Sequence, residues 1–347
     1  MNRSILLFLM LFLLLCTSIL LGAGIGPAPI SPVRLIAILL NTLHLWHGPI
    51  YWTRDQAVIL LQVRLPRVVA ALLVGSALAV SGVLLQGLLR NPLADPYLLG
   101  VSAGASLGVT IASLVTATAA TIAGFSLISL GGFLGALLAV FTVYRIATIG
   151  GRTSTTTIIL AGFAISSLLG SATTLLYTVS GQLATRLQSL FIWLLGGISV
   201  VGWSQIVLVF PLIIVGVTIA LFFTSALNAL ALGEEGAAYL GIHVARVRVA
   251  IIILSTILTS LAVVLSGLVG FVGLITPHAL RLLIGANHRR LLPAAALAGA
   301  SFLILADLLA RTVIAPGELP VGIITALLGG PFFLYLLQRQ TRPSEWQ

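Results

Sequence analysis

The run PYLLGVSAGASLGVTIASLVTATAATIAGFSLISLGGFLGALLAVFTVY, residues 96–144, contains no Asp, Glu, Lys or Arg. It is more than twice as long as the roughly 20 residues that cross a bilayer as one helix. It must therefore fold back on itself. A second run of this kind covers residues 187–233. Uncharged runs of such length indicate segments that lie in lipid rather than in water.

The composition of the whole chain supports the same interpretation. Hydrophobic residues make up 59% of it, charged residues 7%, and the mean hydropathy is +1.21, whereas soluble domains are roughly 45–50% apolar and 25% charged. Lipid admits only helices and closed barrels, and the runs lack the alternation of barrel strands. The sequence predicts an all-α polytopic membrane protein with about ten transmembrane helices, centred near residues 14, 76, 107, 133, 167, 214, 257, 277, 302 and 329.

Residues 1–347 are expected to form a single transmembrane domain. The apolar run that follows Arg3 exceeds a signal-peptide core and is interpreted as a retained first span. Residues 26–63, rich in Pro and aromatic residues, form the longest segment that is not expected to span. The break between the third and fourth helices is predicted near Gly124, and residues 188–202 are assigned as a candidate short extra helix.

The distribution of Arg predicts the orientation of the helices. With ten spans both termini lie on one side, and that side collects eleven Arg: Arg3, Arg90, Arg145, Arg152, Arg246, Arg248, Arg281, Arg289, Arg290, Arg339 and Arg342. The other side collects six: Arg34, Arg54, Arg64, Arg67, Arg186 and Arg311. Because basic residues accumulate in cytoplasmic loops, both termini and the loop 226–246 are predicted to be cytoplasmic, and 26–63 periplasmic, in a protein of the inner membrane.

The charged residues and the cysteine count exclude several classes of function. A net charge of +10 would suggest nucleic acid in a soluble protein, but Arg clusters beside spans are topology signals. All 17 basic residues are Arg, so the chain lacks the Lys of a P-loop and cannot hydrolyse ATP that way. Cys16 is alone, and His278 has no acidic or Cys neighbour, so we expect no metal site. No catalytic group of nucleophile, base and orienting residue is found either.

The stretch ALGEEGAAYLGIHVARVRV, residues 231–249, is unusually polar for this chain. Gly233 breaks one helix, Glu234 and Glu235 suit the first turn of a new short helix, and Gly241 ends it. An ordinary solvated loop is the simple alternative. The segment nevertheless keeps apolar residues where nothing spans, and an exposed apolar helix with acidic ends is typical of a docking surface for a partner.

This stretch resembles the coupling-helix signature of binding-protein-dependent ABC importer permeases, with Gly236 as a departure from it. Three further blocks are more specific: RLPRVVAALLVGSALAVSGVLLQGLLRNPLADPYLLGVSAGASLG, residues 64–108, GLVGFVGLITPHALRLLIGANHRRLLPAAALAGASFLILADLLAR, and ELPVGIITALLGGPFF. They resemble the iron-siderophore, haem and vitamin B12 permease family almost continuously from residue 64 to the end. The resemblance implies a type II ABC importer permease architecture.

The resemblance also implies partners and site residues. The permease would pair with a second permease subunit as a homodimer or pseudo-dimer, with two ATPase subunits inside and a periplasmic or lipoprotein substrate-binding protein outside. ATP and Mg²⁺ would be bound by the ATPase, so no cofactor is expected in this chain. The ATPase-coupling segment would be Gly233, Glu234, Glu235, Ala237, Ala238, Leu240 and Gly241.

The translocation pathway in this family is lined largely by the fifth and tenth helices. In the fifth helix, small residues recur at four-residue spacing, as they do at Gly104 and Gly108 and at Gly131 and Gly135. Close helix packing in lipid is the simple interpretation of all these stripes. For the fifth helix a wet pathway-lining face is the alternative, and its residues would be Gly162, Ser166, Gly170, Thr173 and Thr174.

Three outward Arg have two interpretations. Arg64 and Arg67 flank Pro66 at the outer end of the second helix, and Arg311 lies at the outer end of the ninth. Such residues are commonly interface anchors. In the family, Arg at these positions receive a Glu from each lobe of the binding protein. For Arg311 the alternative is pairing with Asp307, four residues earlier on the same helix face.

We therefore expect a permease, not an enzyme, that imports a metal chelate with ATP hydrolysed on a partner. Ferric siderophore is the leading substrate, and haem and vitamin B12 stay open because their permeases share these motifs. An autonomous secondary transporter is the rival class. It is disfavoured because such proteins carry an ionisable group near the membrane midplane, whereas Asp307 and Glu318 fall near the outer ends of their helices.

Overall fold

A computed structural model of the chain describes residues 3–26, 28, 30–45, 48–115, 121–122, 125–148, 155–198, 200 and 202–340. Within these residues the fold is helical apart from one antiparallel hairpin, β1 Thr121–Ile122 and β2 Phe125–Ser126. The α-helices are α1 (Arg3–Gly24), α2 (Pro32–Thr42), α3 (Arg54–Val58), α4 (Leu65–Leu89), α5 (Val101–Val115), α6 (Leu127–Ala147), α7 (Thr155–Val179), α8 (Gly181–Leu194), α9 (Ser204–Phe222), α10 (Thr224–Leu230), α11 (Glu234–Tyr239), α12 (Val244–Ser266), α13 (Val272–Ile284), α14 (His288–Thr312) and α15 (Val321–Gln340).

The predicted all-α membrane fold is confirmed. All ten expected helix centres fall inside α-helices, namely α1, α4, α5, α6, α7, α9, α12, α13, α14 and α15. Among the described residues, seven helical stretches are long and apolar enough to cross a membrane: Ile5–Gly24, Arg54–Leu89, Leu127–Ala147, Thr156–Val179, Ser204–Phe222, Val244–Ser266 and His288–Thr312. The apolar stretches of α5, α13 and α15 are shorter.

Three predicted boundaries lie elsewhere or outside the described residues. The extra helix expected at 188–202 is α8, which begins at Gly181 and ends at Leu194. Beyond it, Gly196 takes a positive φ of 74° and residues 196–198 are not helical. Within segment 26–63 the chain forms α2 and α3 and enters a π-helix, Ile59–Arg64. Gly124 lies outside the described residues, between the two strands of the hairpin.

The second span is longer than expected because the chain stays helical through Pro66. Helical backbone runs from Arg54 to Leu89, with the π-helix joining α3 to α4. Pro66 has no N–H, so carbonyl groups one turn earlier lose their helical donors. The indole nitrogen of Trp203 donates to the Leu61 carbonyl at 2.9 Å, and the N–H of Gly202 donates to the Gln62 carbonyl at 2.9 Å. The segment before α9 therefore satisfies the groups that Pro66 leaves unpaired.

Helix α4 is the centre of the bundle. Its spanning window is 89% buried, against 17% for α1 and 22% for α7. It reaches its neighbours at glycine contacts: a Cβ on Gly75 would lie 2.2 Å from the Gly299 carbonyl of α14, and one on Gly82 would lie 1.9 Å from the Gly273 carbonyl of α13. No side chain fits at such separations. Backbone approach through small residues thus holds the centre together.

Helices α5 and α6 pack in the same way. A Cβ on Gly104 would lie 2.4 Å from the Gly135 carbonyl, and one on Gly108 would lie 2.0 Å from the Gly131 carbonyl. The two glycine stripes therefore face each other, and their interpretation as close packing is confirmed. The contact keeps α5 and α6 together although no hydrophobic force drives helices together within lipid.

We expect Gly108→Ala to lower the thermal unfolding temperature of the detergent-solubilised protein, because the added methyl group would lie 2.0 Å from the Gly131 carbonyl. Overpacking of this kind costs about 1–3 kcal/mol. The matched control is Gly170→Ala on α7, where a Cβ meets nothing within 4 Å. Equal melting temperatures for both variants would contradict the packing described for α5 and α6.

Candidate functional site

The segment between α10 and α12 forms the short helix that the sequence predicted. Gly233 precedes it with a φ of 103°, and Gly241 follows it with a φ of 81°. Both conformations are left-handed or otherwise costly for residues that carry a Cβ. Helix α11, Glu234–Tyr239, is therefore bounded by a glycine at each end. It projects as a separate knob between α10 and α12.

The knob is attached by one face and presents the other to its surroundings. Ala237 is fully buried, whereas Tyr239 is 92% exposed and Leu240 62% exposed. Glu235 and Ala238 are exposed as well. A helix with a large apolar tip and no covering element is typical of a protein interface.

The acidic start of α11 is tied to α12. Glu234 is half-exposed and forms an ion pair with Arg248 in the first turns of α12. Glu235, its neighbour, faces outward. Carboxylates in the first turn of a helix also interact favourably with the helix dipole. Glu234 therefore fixes the orientation of the knob, and Glu235 is left at the surface.

The predicted pathway stripe on α7 divides into two parts. A Cβ on Gly162 would lie 2.4 Å from the Leu98 carbonyl, so this end of α7 packs against the short 3₁₀ turn Pro96–Leu99. At Gly170 a Cβ meets nothing within 4 Å, and Thr174 is exposed. Ser166 is half-buried. Close packing thus explains one half of the stripe, while the other half borders open space.

The two threonines of this stripe differ. Thr173 is 5% exposed and donates to the Leu169 carbonyl at 2.8 Å. Thr174 donates to the Gly170 carbonyl at 3.0 Å, which satisfies its proton within the helix. Each hydroxyl is engaged with its own helix in this conformation. Only Thr174 places its side chain on the open face.

Two of the three predicted outward Arg residues, Arg67 and Arg311, share one buried carboxylate. Asp307 on α14 is 1% exposed, and its two oxygens lie 3.0 Å from Arg67 Nε and 3.0 Å from Arg311 Nε. Arg67 Nη1 also lies 2.8 Å from Glu318 Oε2, and Glu318 is half-exposed. Two guanidinium groups on different helices thus share one carboxylate. The pairing of Arg311 with Asp307, which the sequence left open, is the one observed.

Arg64 and Arg311 also bind the end of α1. Arg64 is 4% exposed and donates to the carbonyls of Ala23 at 3.1 Å and Gly24 at 2.8 Å, and to that of Ala28. Arg311 donates to the Gly22 carbonyl at 3.0 Å. The last carbonyls of a helix lack intrahelical donors and carry partial negative charge. The two guanidinium groups supply both missing donors and positive charge.

These contacts give the three Arg a structural role within the chain. The sequence pointed to Arg64, Arg67 and Arg311 as outward residues, but it missed Glu318 and the carbonyls of α1 as their partners. Because Glu318 is one of only seven acidic residues, it could have been considered from the sequence as a partner for one of these Arg. Carbonyl partners leave no signal in a sequence. Docking of a binding protein at these Arg stays a prediction.

The connection after α4 is a tight turn held by its own side chains. Asn91 accepts from the N–H of Leu93 at 2.9 Å, and Asp95 accepts from the N–H of Tyr97 at 2.8 Å. Burial raises the pKa of the Asp95 carboxyl to about 6, and the N–H of Tyr97 acts in the opposite direction. The Tyr97 hydroxyl donates to the Val269 carbonyl at 3.1 Å, which joins this turn to the segment before α13.

Among the described residues, no cluster of His, Cys, Asp and Glu could hold a metal ion. His278 is buried and packs edge to face against Phe332, with ring centroids 6.2 Å apart. It is one of the buried residues of α13.

The bundle of long apolar helices has the fold of ABC transporter permeases. The chain belongs to the FecCD transport family, whose model matches residues 11–339. Proteins of this family are membrane permease subunits, and ATP hydrolysis resides in a separate subunit. The chain is accordingly a multi-pass permease of a metal-chelate, haem or vitamin B12 type ABC importer.

Relatives from several organisms agree with this assignment. The chain is 40% identical over 343 residues to an uncharacterized ABC transporter permease protein of Bacillus subtilis, covering 95% of this chain and 93% of the relative. It is 44% identical to the cobalamin import system permease protein of Halobacterium salinarum, covering 80% and 72%. It is 43% identical to the hemin transport system permease protein of Yersinia pestis, covering 81% and 83%.

Solved structures show the same fold. One, described as an inward-facing conformation of a metal-chelate type ABC transporter, matches with a TM-score of 0.81 and 34% identity over 96% of this chain and 99% of the other. A second, PsaBC from Streptococcus pneumoniae in complex with Fab, has a TM-score of 0.54 and 20% identity over 78% and 89%. The second match concerns the fold alone.

We expect Asp307→Asn to destabilise the folded permease by about 3–5 kcal/mol, because Arg67 and Arg311 would keep their charge and lose the buried carboxylate between them. The matched control is Glu318→Gln. It removes a half-exposed partner of Arg67 and should cost about 1 kcal/mol or less. Thermal unfolding in detergent measures the loss of stability in both variants. A larger loss in the Glu318 variant than in the Asp307 variant would rule out the central role given to Asp307.

Proposed function

We propose that the chain is the permease of an importer that carries a ferric siderophore, and that it works as a homodimer with two ATPase subunits and a substrate-binding protein. The observation that carries the proposal is helix α11: an exposed apolar knob, bounded by glycines, beside the ends of spanning helices. A permease without its own ATPase needs a surface on which a partner can act. The knob has the exposure and the apolar tip for that contact.

The substrate part of the proposal draws on the relatives. Some carry names that state iron compounds, such as the Fe(3+)-citrate import system permease protein of Bacillus subtilis, 36% identical over 333 residues and covering 95% of each chain. Others state hemin or cobalamin. All three substrates are large chelates, so a wide passage suits each. Ferric siderophore leads, with haem and vitamin B12 as alternatives.

The proposed passage runs between two copies of the permease along α7 and α15. Gly170 and Thr174 border open space on α7, and large apolar residues flank them, with Leu168 64% exposed and Leu175 63% exposed. A second copy against this face would enclose a passage lined by small residues and hydroxyl groups. The proposal gives Gly162 the remaining role of holding α7 against the turn at Leu98.

The proposed orientation places α11 and both termini in the cytoplasm. The charge asymmetry of the Arg residues supports it. Arg152 and Arg342 contribute to that count but lie outside the described residues. In this orientation the Asp307 cluster faces the periplasm and α11 faces the ATPase.

The transport experiment uses proteoliposomes that contain the permease with its cognate ATPase, binding protein and ATP. We expect accumulation of a ferric siderophore, and none when the ATPase is left out, because the chain lacks the P-loop Lys. Haem and cobalamin are offered in parallel to test the substrate. Accumulation by the permease alone would refute the proposed class, and accumulation of haem or cobalamin only would refute the siderophore.

The role of the knob is tested by Glu235→Arg. The residue is exposed, so the fold should survive, while a reversed charge at the proposed interface should lower ATP-driven uptake at least about tenfold. Arg145→Gln on α6 is the control, because Arg145 is also exposed but lies on another helix. Unchanged uptake by the Glu235 variant, with the control also unchanged, would remove the coupling role from this position.

The proposed docking of the binding protein centres on Arg67. Of the three predicted Arg it has the greatest side-chain exposure, 15%, and its exposed contact is with Glu318. A carboxylate of the binding protein could replace Glu318 without disturbing Asp307. Arg64 and Arg311 are buried against the end of α1, and in the proposal they hold that end in place beneath the docking surface.

Two variants test whether the binding protein competes with Glu318 for Arg67, or whether Arg67 has only a structural role. Arg67→Gln should weaken docking of the binding protein, whereas Glu318→Gln should strengthen it several-fold because the intramolecular competitor is gone. Binding of the binding protein to the permease in nanodiscs measures both, at low and high salt. Weaker docking in the Glu318 variant would contradict the competition.

A further inference from the structure

A cavity of about 260 Å³ lies beside the knob, and its lining includes charged and polar residues that the coupling proposal does not use. It is formed where the ends of α4 and α10 meet α13 and the start of α14. Arg90 and Arg281 line it together with Gln86 and His288. The cavity adjoins α11, because a Cβ on Gly233 would lie 3.8 Å from Arg90 Nη1.

The cavity is positively charged. Within the part of the chain that the structure describes, neither Arg90 nor Arg281 has a carboxylate within ion-pair distance, whereas Arg67, Arg248 and Arg311 each have one. The start of α14 lies at the same place and adds the positive end of a helix dipole. Two guanidinium groups without acidic partners therefore face a cavity in which an anion would be stabilised.

Two buried acceptors in the cavity wall also lack donors. His288 is 4% exposed, and its Nδ1 lies 2.8 Å from Asn228 Oδ1. Because that amide oxygen only accepts, Nδ1 carries the proton and Nε2 of the neutral ring presents a lone pair. Gln86 is 2% exposed and uses its Nε2 to donate to the Gly273 carbonyl at 3.2 Å. Among the described residues, no donor reaches Gln86 Oε1 or His288 Nε2.

The surroundings hold these acceptors in place. The Asn228 side-chain nitrogen donates to Asn287 Oδ1 at 3.1 Å, and Asn287 also accepts from the N–H of Arg289 at 3.0 Å. Asn228 Oδ1 also accepts from the backbone N–H of His288 at 2.9 Å. The imidazole therefore has a fixed orientation. A cavity with fixed acceptors and two unpaired cations suits a ligand that brings both an anion and a donor.

We propose that this cavity receives an acidic peptide segment of the ATPase subunit, with one carboxylate between Arg90 and Arg281 and an N–H or O–H group of the same segment donating to Gln86 Oε1. The inference rests on the proposed function, since it assigns α11 to the ATPase interface. A peptide supplies both kinds of group. The phosphodiester of a lipid offers acceptors only, so a lipid would need a hydroxyl or amine of its head group to pair with Gln86 Oε1.

The position of the cavity also favours a protein ligand over a lipid. Gln86 and Gly87 belong to α4, the central helix, whose spanning window is 89% buried. The cavity therefore opens at the end of the bundle, next to exposed Arg90 and Ala231. An apolar knob with a charged cavity beside it gives the interface two separate points of contact. Such charge pairs fix register and partner choice.

The experiment measures binding of the full-length permease, in detergent, to its cognate ATPase subunit at low and high salt. We expect Arg90→Gln and Arg281→Gln each to raise the Kd about tenfold or more and to reduce its dependence on salt. The matched control is Arg290→Gln, which removes an exposed Arg at the same end of the bundle without touching the cavity. Melting temperatures confirm that each variant is folded.

A charge exchange identifies the partner group. Arg281→Glu should abolish tight binding, and a Lys in place of one acidic residue of the ATPase should restore it. If the two Gln variants bind the ATPase as the control does, the inference is wrong.

A lipid arm uses the permease alone with phosphatidylglycerol or phosphatidylcholine in mixed micelles. Stabilisation by phosphatidylglycerol that disappears in the Arg281→Gln variant would overturn the peptide assignment in favour of a lipid headgroup. Absence of such stabilisation, with the expected loss of ATPase binding, would support the peptide. If the wild-type permease binds no ATPase at all, the proposed function is refuted. If only the cavity variants lose binding, the proposed function stands and the cavity inference is supported.

Discussion

Direct backbone contact between helices is the interaction on which the rest of this structure depends. Helix α4 touches α13 and α14 at positions where even a methyl group would collide with a carbonyl. In lipid, helices gain no hydrophobic stabilisation from meeting each other, so close van der Waals contact must supply it. The glycine contacts at Gly75 and Gly82 therefore set the distances between the central helices. Both the Asp307 cluster and the cavity near His288 lie at ends of helices positioned in this way.

The two ends of the bundle use charge differently. At one end every described guanidinium near Asp307 has an internal partner: a carboxylate or the last carbonyls of α1. At the other end Arg90 and Arg281 have no acidic partner among the residues that the structure describes, and α11 presents Tyr239 and Leu240 outward. A buried charge that is fully paired stabilises a position, whereas unpaired cations and exposed apolar surface attract partners. The second end is therefore suited to contact with another subunit.

Much of the fold could be predicted because a membrane restricts what an apolar chain can do. All ten helix centres and the position of the short helix at Glu234 followed from uncharged runs and glycine breaks. The prediction was less successful where the chain remains helical through a proline, a residue that usually interrupts a helix. Pro66 lies inside a continuous helical stretch because Trp203 and Gly202 supply donors to carbonyls that it leaves free. A local pattern contains no information about donors that come from residue 202 or 203.

The permease class followed from the resemblance of the chain to a known family. The sequence by itself determined a helical membrane protein without the Lys of a P-loop, with Arg residues at helix ends and an exposed helix beginning at Glu234. Those properties depend on composition and short-range order. Only the tertiary structure decided that Asp307 holds Arg67 and Arg311, that Arg64 binds the end of α1, and that Gln86 and His288 share a cavity with Arg281. These contacts join residues far apart in the chain, and their strength depends on burial, which arises only when the helices pack.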